Sequence, residues 1–359
     1  MSALVISDYA AFDSLKNDWD QLALPRNNPL LEFNWFHACA HELHPEKDLN
    51  VITLTDSSGK ICGIAPLVKT RRHGSHWLEI LGASTLFEPT GLLYRDSNAM
   101  SSLYRMLARQ QYPVLINRLW ESREENSIIR QTPCLSGLWI KRHSHGSGIL
   151  DIQSDWISYL ASLSSQRRYD YRRAVKRTAS FGDEHYSVVS PNLNVLDQTL
   201  DIAFGIEDNS WKGKQGTSIR SRPRLRSFLQ RYARYSAESG QLRIFLLHLG
   251  DRPAAMAICI ESGSALWFIK IGYDDNFRTC SPGMLLMMHA VKYGFDQGLS
   301  RIEFLGSYEP WLSIWTRNIR TYSTLVHYPP NIHGIRTFSH DLIKTIRSRI
   351  YHIRQTTTE

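Results

Sequence analysis

The stretch that decides the fold runs from Gln241 to Glu309. It reads Gln-Leu-Arg-Ile-Phe-Leu-Leu-His-Leu over 241–249, Gly-Asp-Arg-Pro-Ala-Ala-Met-Ala-Ile-Cys-Ile over 250–260, Ala-Leu-Trp-Phe-Ile-Lys-Ile-Gly-Tyr over 265–273 and Arg-Ile-Glu-Phe-Leu-Gly over 301–306. The first two runs are β-branched and aromatic, and Gly250-Asp251 separates them, which predicts a β-hairpin. A third strand is predicted over 266–271 and a short last one over 301–305.

Between the third and last strands the spacing of the apolar residues changes. Met284, Leu285, Met288, Val291 and Phe295 recur at three and four residues, which predicts a helix from Gly283 to near Gly298. A chain that returns to its sheet after one helix has an α+β order.

The start of this predicted helix is a candidate anion site. Pro282 lacks an N–H that the first turn would leave unbonded, and Gly283 lets a ligand approach the backbone. The first amides of a helix carry a partial positive charge that suits a pyrophosphate, and Arg278 lies just upstream. A plain loop and helix cap is the alternative, because Ser281-Pro282-Gly283 opens many helices.

Several motifs in one order resemble a known family. They are Glu207-Asp-Asn-Ser-Trp211-Lys212-Gly213, the turn from Gly250, Tyr273-Asp274 and Ser281-Pro-Gly-Met284. Together they are similar to the GNAT-type acyltransferases of the CelD / BioF2-like (Acetyltransf_6) family, which are related to the Fem-type peptidoglycan-bridge transferases. The resemblance covers about 160–315. It implies a GNAT core that takes an acyl group from an acyl-CoA co-substrate, with no permanently bound cofactor.

Composition limits the class of protein. At 359 residues and 42% hydrophobic content, two domains with cores of their own are expected. No apolar run approaches membrane-spanning length, and four aspartates within 1–20 argue against a signal peptide, so we expect a cytoplasmic protein. The net charge of +8 favours an anionic substrate or surface.

The pattern of hairpin, strand, helix and strand occurs twice. We therefore expect an α+β (α/β-like) fold of two tandem GNAT-like domains, each a mixed, mostly antiparallel sheet flanked by helices. The first, 1–148, lacks a glycine-rich helix start and is predicted to be a degenerate copy; 149–333 is the predicted catalytic domain. Ser144–Gly148 is rich in glycine, serine and histidine and is predicted to form the passage between them.

Two segments are candidates for substrate binding. The predicted helix Asp155–Ser180 carries cations that suit phosphate oxygens, although a solvated charged face is an equal alternative and nucleic acid binding is weakly supported. By the resemblance, the loop after 206 covers the cleft. The predicted substrate-binding residues are Trp211, Lys212, Gly213, Arg168, Arg172 and Trp311, and the predicted donor-binding residues are Arg278, Ser281, Pro282, Gly283 and Met284.

The implied chemistry is direct attack of an amine on a thioester in a ternary complex. By the resemblance, a backbone amide within 268–273 stabilises the oxyanion, and a base takes the amine proton. The candidate catalytic residues are Glu309, Asp208, Tyr273 and Glu303; a surface or helix-end acid is the alternative for each carboxylate. No metal site is predicted, because the pair His41 and His44 lacks a third ligand.

Three functions remain open. The first is an acyl-CoA-dependent N-acyltransferase acting on an anionic or amine-bearing acceptor, such as an amino sugar of a surface polysaccharide or lipid-linked glycan. The second is a Fem-like transferase that uses aminoacyl-tRNA on cell-wall precursors. The third is a non-catalytic binding module; DNA is not an expected partner.

The C-terminal tail, 334–359, is predicted to be a basic amphipathic helix. Apolar residues recur at three and four residues and define one stripe: Ile335, Phe338, Leu342, Ile346, Ile350 and Ile353. Such a helix docks on the body of the protein or lies on the anionic inner leaflet of a membrane.

Overall fold

The computed structural model describes residues 1–45, 48–72, 74–120 and 136–356, and it contains two compact units. The first unit comprises Met1–Arg26, His44–Ser144 and Tyr322–Glu359; the second comprises Asn27–Leu43 and His145–Thr321. The units are therefore not the consecutive ranges 1–148 and 149–333. Asn27–Leu43 belongs to the second unit, and the C-terminal helix belongs to the first.

The first unit has a mixed sheet with helices packed on it. Its strands follow the order β1-β2-β3-β4-β6-β13, and β5 pairs with β3. Among the pairs that lie in the described residues, β4 with β6 is parallel and the others are antiparallel. The strands are β1 (Ser2–Ile6), β2 (Leu49–Thr55), β3 (Ile61–Arg72), β4 (Ser75–Ile80), β5 (Leu93–Tyr94), β6 (Val114–Trp120) and, from Tyr322 on, β13 (Ile319–Tyr328). The helices are α1 (Tyr9–Asp13), α2 (Lys16–Ala23), α4 (Ala83–Leu86), α5 (Ser97–Ala108) and α12 (Ile332–Thr356).

The second unit has a sheet of order β7-β12-β11-β10-β9-β8, in which only β11 and β12 are parallel. Its strands are β7 (Leu138–Asp151, from His145 on), β8 (Glu184–Val189), β9 (Leu242–Leu249), β10 (Arg252–Ser262), β11 (Ala265–Tyr273) and β12 (Arg301–Glu303). Its helices are α3 (Phe33–Ala38), α6 (Trp156–Ser162), α7 (Ser165–Thr178), α8 (Leu193–Asp208), α9 (Trp211–Lys214), α10 (Pro223–Glu238) and α11 (Pro282–Asp296).

The predicted fold class is confirmed, and so is the order of elements in the deciding stretch. The hairpin forms between β9 and β10, with Arg252 opposite Leu249. The predicted helix is α11, and its apolar stripe packs into the core of the second unit with β9, β10 and β11. No helix in the described ranges is both long enough and apolar enough to cross a membrane.

Two predicted elements were wrong in their local structure. The single helix expected over Asp155–Ser180 is two helices, α6 and α7, because Leu163 has extended backbone and the hydroxyl of Ser164 caps α7 at the N–H of Arg167. Ser144–Gly148 does contain the boundary between the units, which falls after Ser144, but its local structure is that of strand β7 and not of a loop. Gly146 is needed there because a Cβ would lie 2.4 Å from Ile319 Cγ2. The small residues of Ser144–Gly148 therefore reflect close packing of strands.

Aromatic packing holds the segment from Asn27 in the second unit. Trp35 in α3 is 1% exposed and makes edge-on ring contacts with Phe228 and Tyr232 of α10, at 5.1 and 5.0 Å between centroids. Arg231 Nε lies 2.5 Å from Glu42 Oε1. An N-terminal segment thus completes the core of the later unit.

Replacing Trp35 with alanine should lower the free energy of unfolding by about 3–5 kcal/mol, because a large buried ring leaves a cavity. Denaturant titration measures the loss. Leu24→Ala is the matched control, since Leu24 is 76% exposed, and it should stay within about 0.5 kcal/mol. Equal effects of the two substitutions would contradict the assignment of Trp35 to this core.

A half-buried histidine in α11, His289, predicts a pH dependence of stability. His289 stacks on Tyr186, with centroids 3.3 Å apart. Burial, aided by the charge of Lys292, lowers the pKa of His289 from 6.5 to about 4. Between these values the unfolded chain binds a proton that the folded chain does not, so stability falls as the pH falls through this window.

His289→Gln should therefore flatten the pH profile of unfolding between pH 6.5 and 4 by up to about 1.4 kcal/mol per pH unit. Urea titrations across this range measure the slope. His143→Gln serves as a control because His143 is exposed, and it should retain the parent slope. An unchanged slope in His289→Gln would show that other groups cause the acid sensitivity.

Candidate active site

The sheet of the second unit opens beside β11. The parallel pairing of β11 with β12 covers only Ala265–Trp267, whereas β11 continues to Tyr273 along β10. Opposite Ile258 and Cys259 the register skips Ile269, which marks a β-bulge. A bulge increases the local twist and re-aims the residues after it. The last residues of β11 therefore diverge from β12 and border an opening.

Helix α11 begins at this opening. Ser281 has φ +52°, a left-handed conformation, and its carbonyl accepts the N–H groups of Met284 and Leu285. Pro282 has no N–H to leave unbonded. A Cβ on Gly283 would lie 3.3 Å from Tyr273 Cδ1, so glycine keeps the first turn close to the end of β11. The positive end of the helix dipole points to the same place.

A cavity of about 460 Å³ lies between these elements, entirely within the second unit. Its walls are the end of β11, the first turns of α11, helix α9 and the 3₁₀ turn Pro310–Ile314. The residues that line it are Ser210, Trp211, Lys212, Met256, Ala257, Ile271, Gly272, Tyr273, Arg278, Ser281, Pro282, Gly283, Met284, Leu286, Met287, Trp311, Ile314 and Trp315.

Most of the predicted site residues line this cavity. All five predicted donor-binding residues do so, as do Tyr273 and three of the predicted substrate-binding residues, Trp211, Lys212 and Trp311. The lining that the structure describes contains no Asp, Glu, His or Cys, so this wall offers none of the usual side-chain ligands of a metal ion.

The three predicted carboxylates do not line the cavity. Glu303 is 0% exposed and faces Arg320 Nη2 at 2.9 Å and Arg301 Nε at 3.2 Å. Burial raises the pKa of Glu303, and the two guanidinium groups oppose that shift. Asp208 accepts the hydroxyl of Ser218 at 2.6 Å. Both acids therefore have structural partners.

Glu309 is exposed at the start of the 3₁₀ turn Pro310–Ile314, two residues before Trp311. Gly213 shapes the cavity without lining it. A Cβ at Gly213 would lie 1.8 Å from the carbonyl oxygen of Asp208, so only glycine allows α9 to fold back onto α8.

Some arginines of α7 bond backbone carbonyls, and others are exposed without lining the cavity. Arg168 donates to the carbonyls of Ala161 and Leu163 and thereby closes the end of α6. Arg177 donates to Thr279 O at 3.0 Å and supports the turn that carries Arg278. Arg172 is exposed, and neither it nor Arg168 lines the cavity.

Sequence reasoning missed the buried acid of the site, Glu207. Its side chain is 0% exposed; Oε1 lies 2.9 Å from Lys212 Nζ and 3.5 Å from Lys270 Nζ, and Oε2 accepts the N–H of Ile219 at 2.9 Å. Helical spacing was the available signal. Glu207 follows the buried residues Ala203 and Phe204 by four and three residues, and this places it, rather than Asp208, on the inner face of α8.

Glu207, Lys212 and Lys270 form a charged triad, which explains how Lys212 is held at the cavity wall. A buried carboxylate needs cationic partners, and two lysines on one carboxylate leave a net positive charge. The side chains of Lys212 and Lys270 are each 27% exposed. An ammonium has three donors, so Lys212 keeps donors for a ligand after bonding Glu207.

A double-mutant cycle of Glu207→Gln and Lys212→Met should give a coupling energy of about 1–3 kcal/mol, because the pair is largely desolvated. The exposed pair Lys16–Asp20, 2.7 Å apart, is the matched control and should couple by about 0.3–0.5 kcal/mol. Denaturant unfolding of each set of variants measures both values. Equal coupling in the two cycles would contradict an anchoring role of Glu207.

Comparison with known proteins agrees with this geometry. Residues 165–312 match the model of the acetyltransferase (GNAT) domain, Acetyltransf_6, which confirms the resemblance seen in the sequence. The matched range contains α7, Glu207 with its two lysines, and every residue that lines the cavity except Ile314 and Trp315. No curated protein sequence gives a significant match.

Three solved structures have the same fold. FemX is 14% identical, with a TM-score of 0.56 over 91% of this chain and 97% of its own. The C-terminal domain of a protein named as a lysylphosphatidylglycerol synthetase, from Agrobacterium fabrum, is 8% identical, with a TM-score of 0.56 over 88% of this chain and 92% of its own. A tandem GNAT protein from the clavulanic acid biosynthesis pathway is 11% identical, with a TM-score of 0.51 over 92% and 99%.

These likenesses establish the tandem GNAT fold. Together with the family match, they support acyl transfer from an acyl donor to an amine as the general chemistry.

Proposed function

We propose that this chain, whose residues 165–312 match the acetyltransferase (GNAT) domain, is an N-acyltransferase that moves an acyl group from an acyl-CoA thioester to an amine. One observation carries the proposal: a single cavity joins the first turn of α11 to the diverging end of β11. The first turn of α11 suits a pyrophosphate, and the end of β11 presents backbone amides to the carbonyl group of a thioester.

The donor half of the cavity is cationic where a pyrophosphate would lie. The N-terminus of α11 supplies the dipole and first-turn amides, and the exposed side chain of Arg278 adds a full charge. Beyond it, three methionines, Met256, Met284 and Met287, make a flexible apolar wall. Such a wall accommodates a slender chain ending in a thioester.

The acceptor half is aromatic. Trp211 is 49% exposed and Trp311 is 40% exposed, and both line the cavity. Large exposed rings at a cavity suit the apolar face of a sugar ring, while Lys212 supplies a charge for an anionic substituent. We therefore assign an amino sugar, in a surface polysaccharide or a lipid-linked glycan, as the acceptor class.

In the proposed reaction the amine nitrogen attacks the thioester carbonyl carbon. The C–N bond forms, the C–S bond breaks, the thiolate takes up a proton, and the amine loses one. Backbone N–H groups of β11 near Gly272 stabilise the developing oxyanion. Tyr273 lines the cavity, and its hydroxyl donates a proton to the leaving thiolate.

Glu309 is the carboxylate we assign to the amine proton. It is exposed, and Trp311, two residues on, lines the cavity. Glu303 and Asp208 are committed to Arg320 and Ser218.

A second candidate is transfer from an aminoacyl-tRNA. The likeness to FemX in fold and the exposed basic face of α7, with Arg172 and Arg173, favour it. A polyanionic carrier would bind such a face with a strong dependence on salt.

Gly283→Val tests the donor site. The added side chain pushes against Tyr273, whose ring is already 3.3 Å from the Cβ position. It also covers the first amides of α11. We expect the KM for acetyl-CoA to rise tenfold or more, equivalent to at least about 1.4 kcal/mol, and the stabilisation by acetyl-CoA in thermal unfolding to be lost.

The control is Gln297→Val, an exposed position at the other end of the same helix. It should bind acetyl-CoA as the parent does. Unchanged affinity in Gly283→Val would move the donor site elsewhere. A parent protein stabilised by aminoacyl-tRNA and not by acetyl-CoA would favour the second candidate.

A further inference from the structure

The last helix, α12, is attached to the first unit by one side only. Phe338 packs on a cluster that includes Trp77, and its ring lies edge-on to Tyr328 at 5.3 Å between centroids. The hydroxyl of Tyr328 donates to Asp341 at 2.7 Å, and Thr337 is 3% exposed. Of the predicted apolar stripe, Phe338 docks, whereas Ile335, Leu342 and Ile346 do not.

A second side of α12 is apolar and open. Its five aliphatic side chains are exposed by 71, 61, 47, 50 and 48%; in order they are Ile332, Ile335, Leu342, Ile343 and Ile346. At 100° per residue they fall within an arc of about 100°, on the other side of the helix from Thr337 and Asp341. Five large aliphatics on four turns form a continuous strip, which is unlike singly scattered surface residues.

The charges beside this strip have one sign. Arg336, Lys344 and Arg347 are exposed on one flank. Asp341 is the only acidic residue in the sequence between 332 and 347, and it is bonded to Tyr328. The strip therefore presents hydrocarbon edged with positive charge.

We propose that α12 binds the surface of an anionic lipid bilayer, lying in the plane of the interface with these five side chains among the acyl chains. Burial of the strip and attraction of the basic flank to lipid phosphates act together there. A second copy of the chain fits less well, because two identical basic flanks would repel. This surface is independent of the acyl-transfer cavity, which belongs to the second unit.

Co-sedimentation with vesicles tests the proposal on the full chain. Vesicles of phosphatidylcholine alone are compared with vesicles that also contain phosphatidylglycerol. We expect binding to the anionic vesicles and little to the neutral ones. The variant Ile335→Gln/Leu342→Gln/Ile346→Gln should lose at least about a hundredfold in affinity, because three aliphatic side chains no longer enter the bilayer.

The matched control is Leu24→Gln/Ile157→Gln/Leu193→Gln, which removes three exposed aliphatics elsewhere (76, 78 and 41% exposed) and should bind as the parent does. Neutralising Arg336, Lys344 and Arg347 with glutamine should weaken binding about fivefold per charge at low salt and reduce the salt dependence. Circular dichroism and thermal unfolding verify that each variant is folded.

Failure of the parent to bind anionic vesicles, or equal binding by the helix variant, would overturn the proposal. So would equal binding to both kinds of vesicle. Sedimentation velocity distinguishes the competing occupant: a concentration-dependent dimer that the helix variant loses, in a parent that ignores vesicles, would assign the strip to self-association.

Discussion

The arrangement of the second unit depends on where β12 stops pairing with β11. After Glu303 the chain reaches Leu305 and Gly306, both with positive φ, +50° and +51°. This left-handed pair turns the backbone away, while Phe304 N–H bonds to Gly148 O of β7. A left-handed leucine costs about 1 kcal/mol or more, and burial of its side chain, 1% exposed, offsets that cost. The opening beside β11 is a consequence of this turn.

Charge placement is the second constraint on the site. The anionic ligands that we propose require cations, yet the cavity wall is mostly apolar, and an ammonium there loses hydration. Glu207 compensates for the lost hydration, since it is fully buried behind the cavity wall and accepts hydrogen bonds from Lys212 and from the N–H of Ile219. The lysine is thus positioned by an acid that does not itself line the cavity. The carboxylates expected to act as bases are, in two of three cases, also occupied by structural partners.

Local sequence predicted the elements that local physics determines. The hairpin at Gly250 and the helix from Pro282 follow from turn chemistry and periodicity, and the residues of the α11 start all reached the cavity. Features that depend on contacts between residues distant in the sequence were not predicted. The strand structure around Gly146 was not predicted, because nothing nearby in sequence shows that Ile319 would pack against it. The same holds for Asn27–Leu43, whose partner α10 lies almost two hundred residues later. Asp208 was chosen over Glu207 although helical spacing separates them.

The cavity also limits which features can decide between the two donor classes. An acyl thioester and an aminoacyl ester both present a carbonyl to an amine, so the end of β11 and the tryptophans serve either reaction. The difference lies in the carrier. A CoA carrier has a compact pyrophosphate, which the start of α11 and Arg278 match within the cavity. A tRNA carrier spreads its charge along a backbone and needs cations over a long surface. On α7, Arg168 and Arg177 already bond backbone carbonyls. A short patch of four cations is left for that purpose: Arg167, Arg172, Arg173 and Lys176. The concentrated positive charge at the cavity is therefore the reason why we propose the compact carrier.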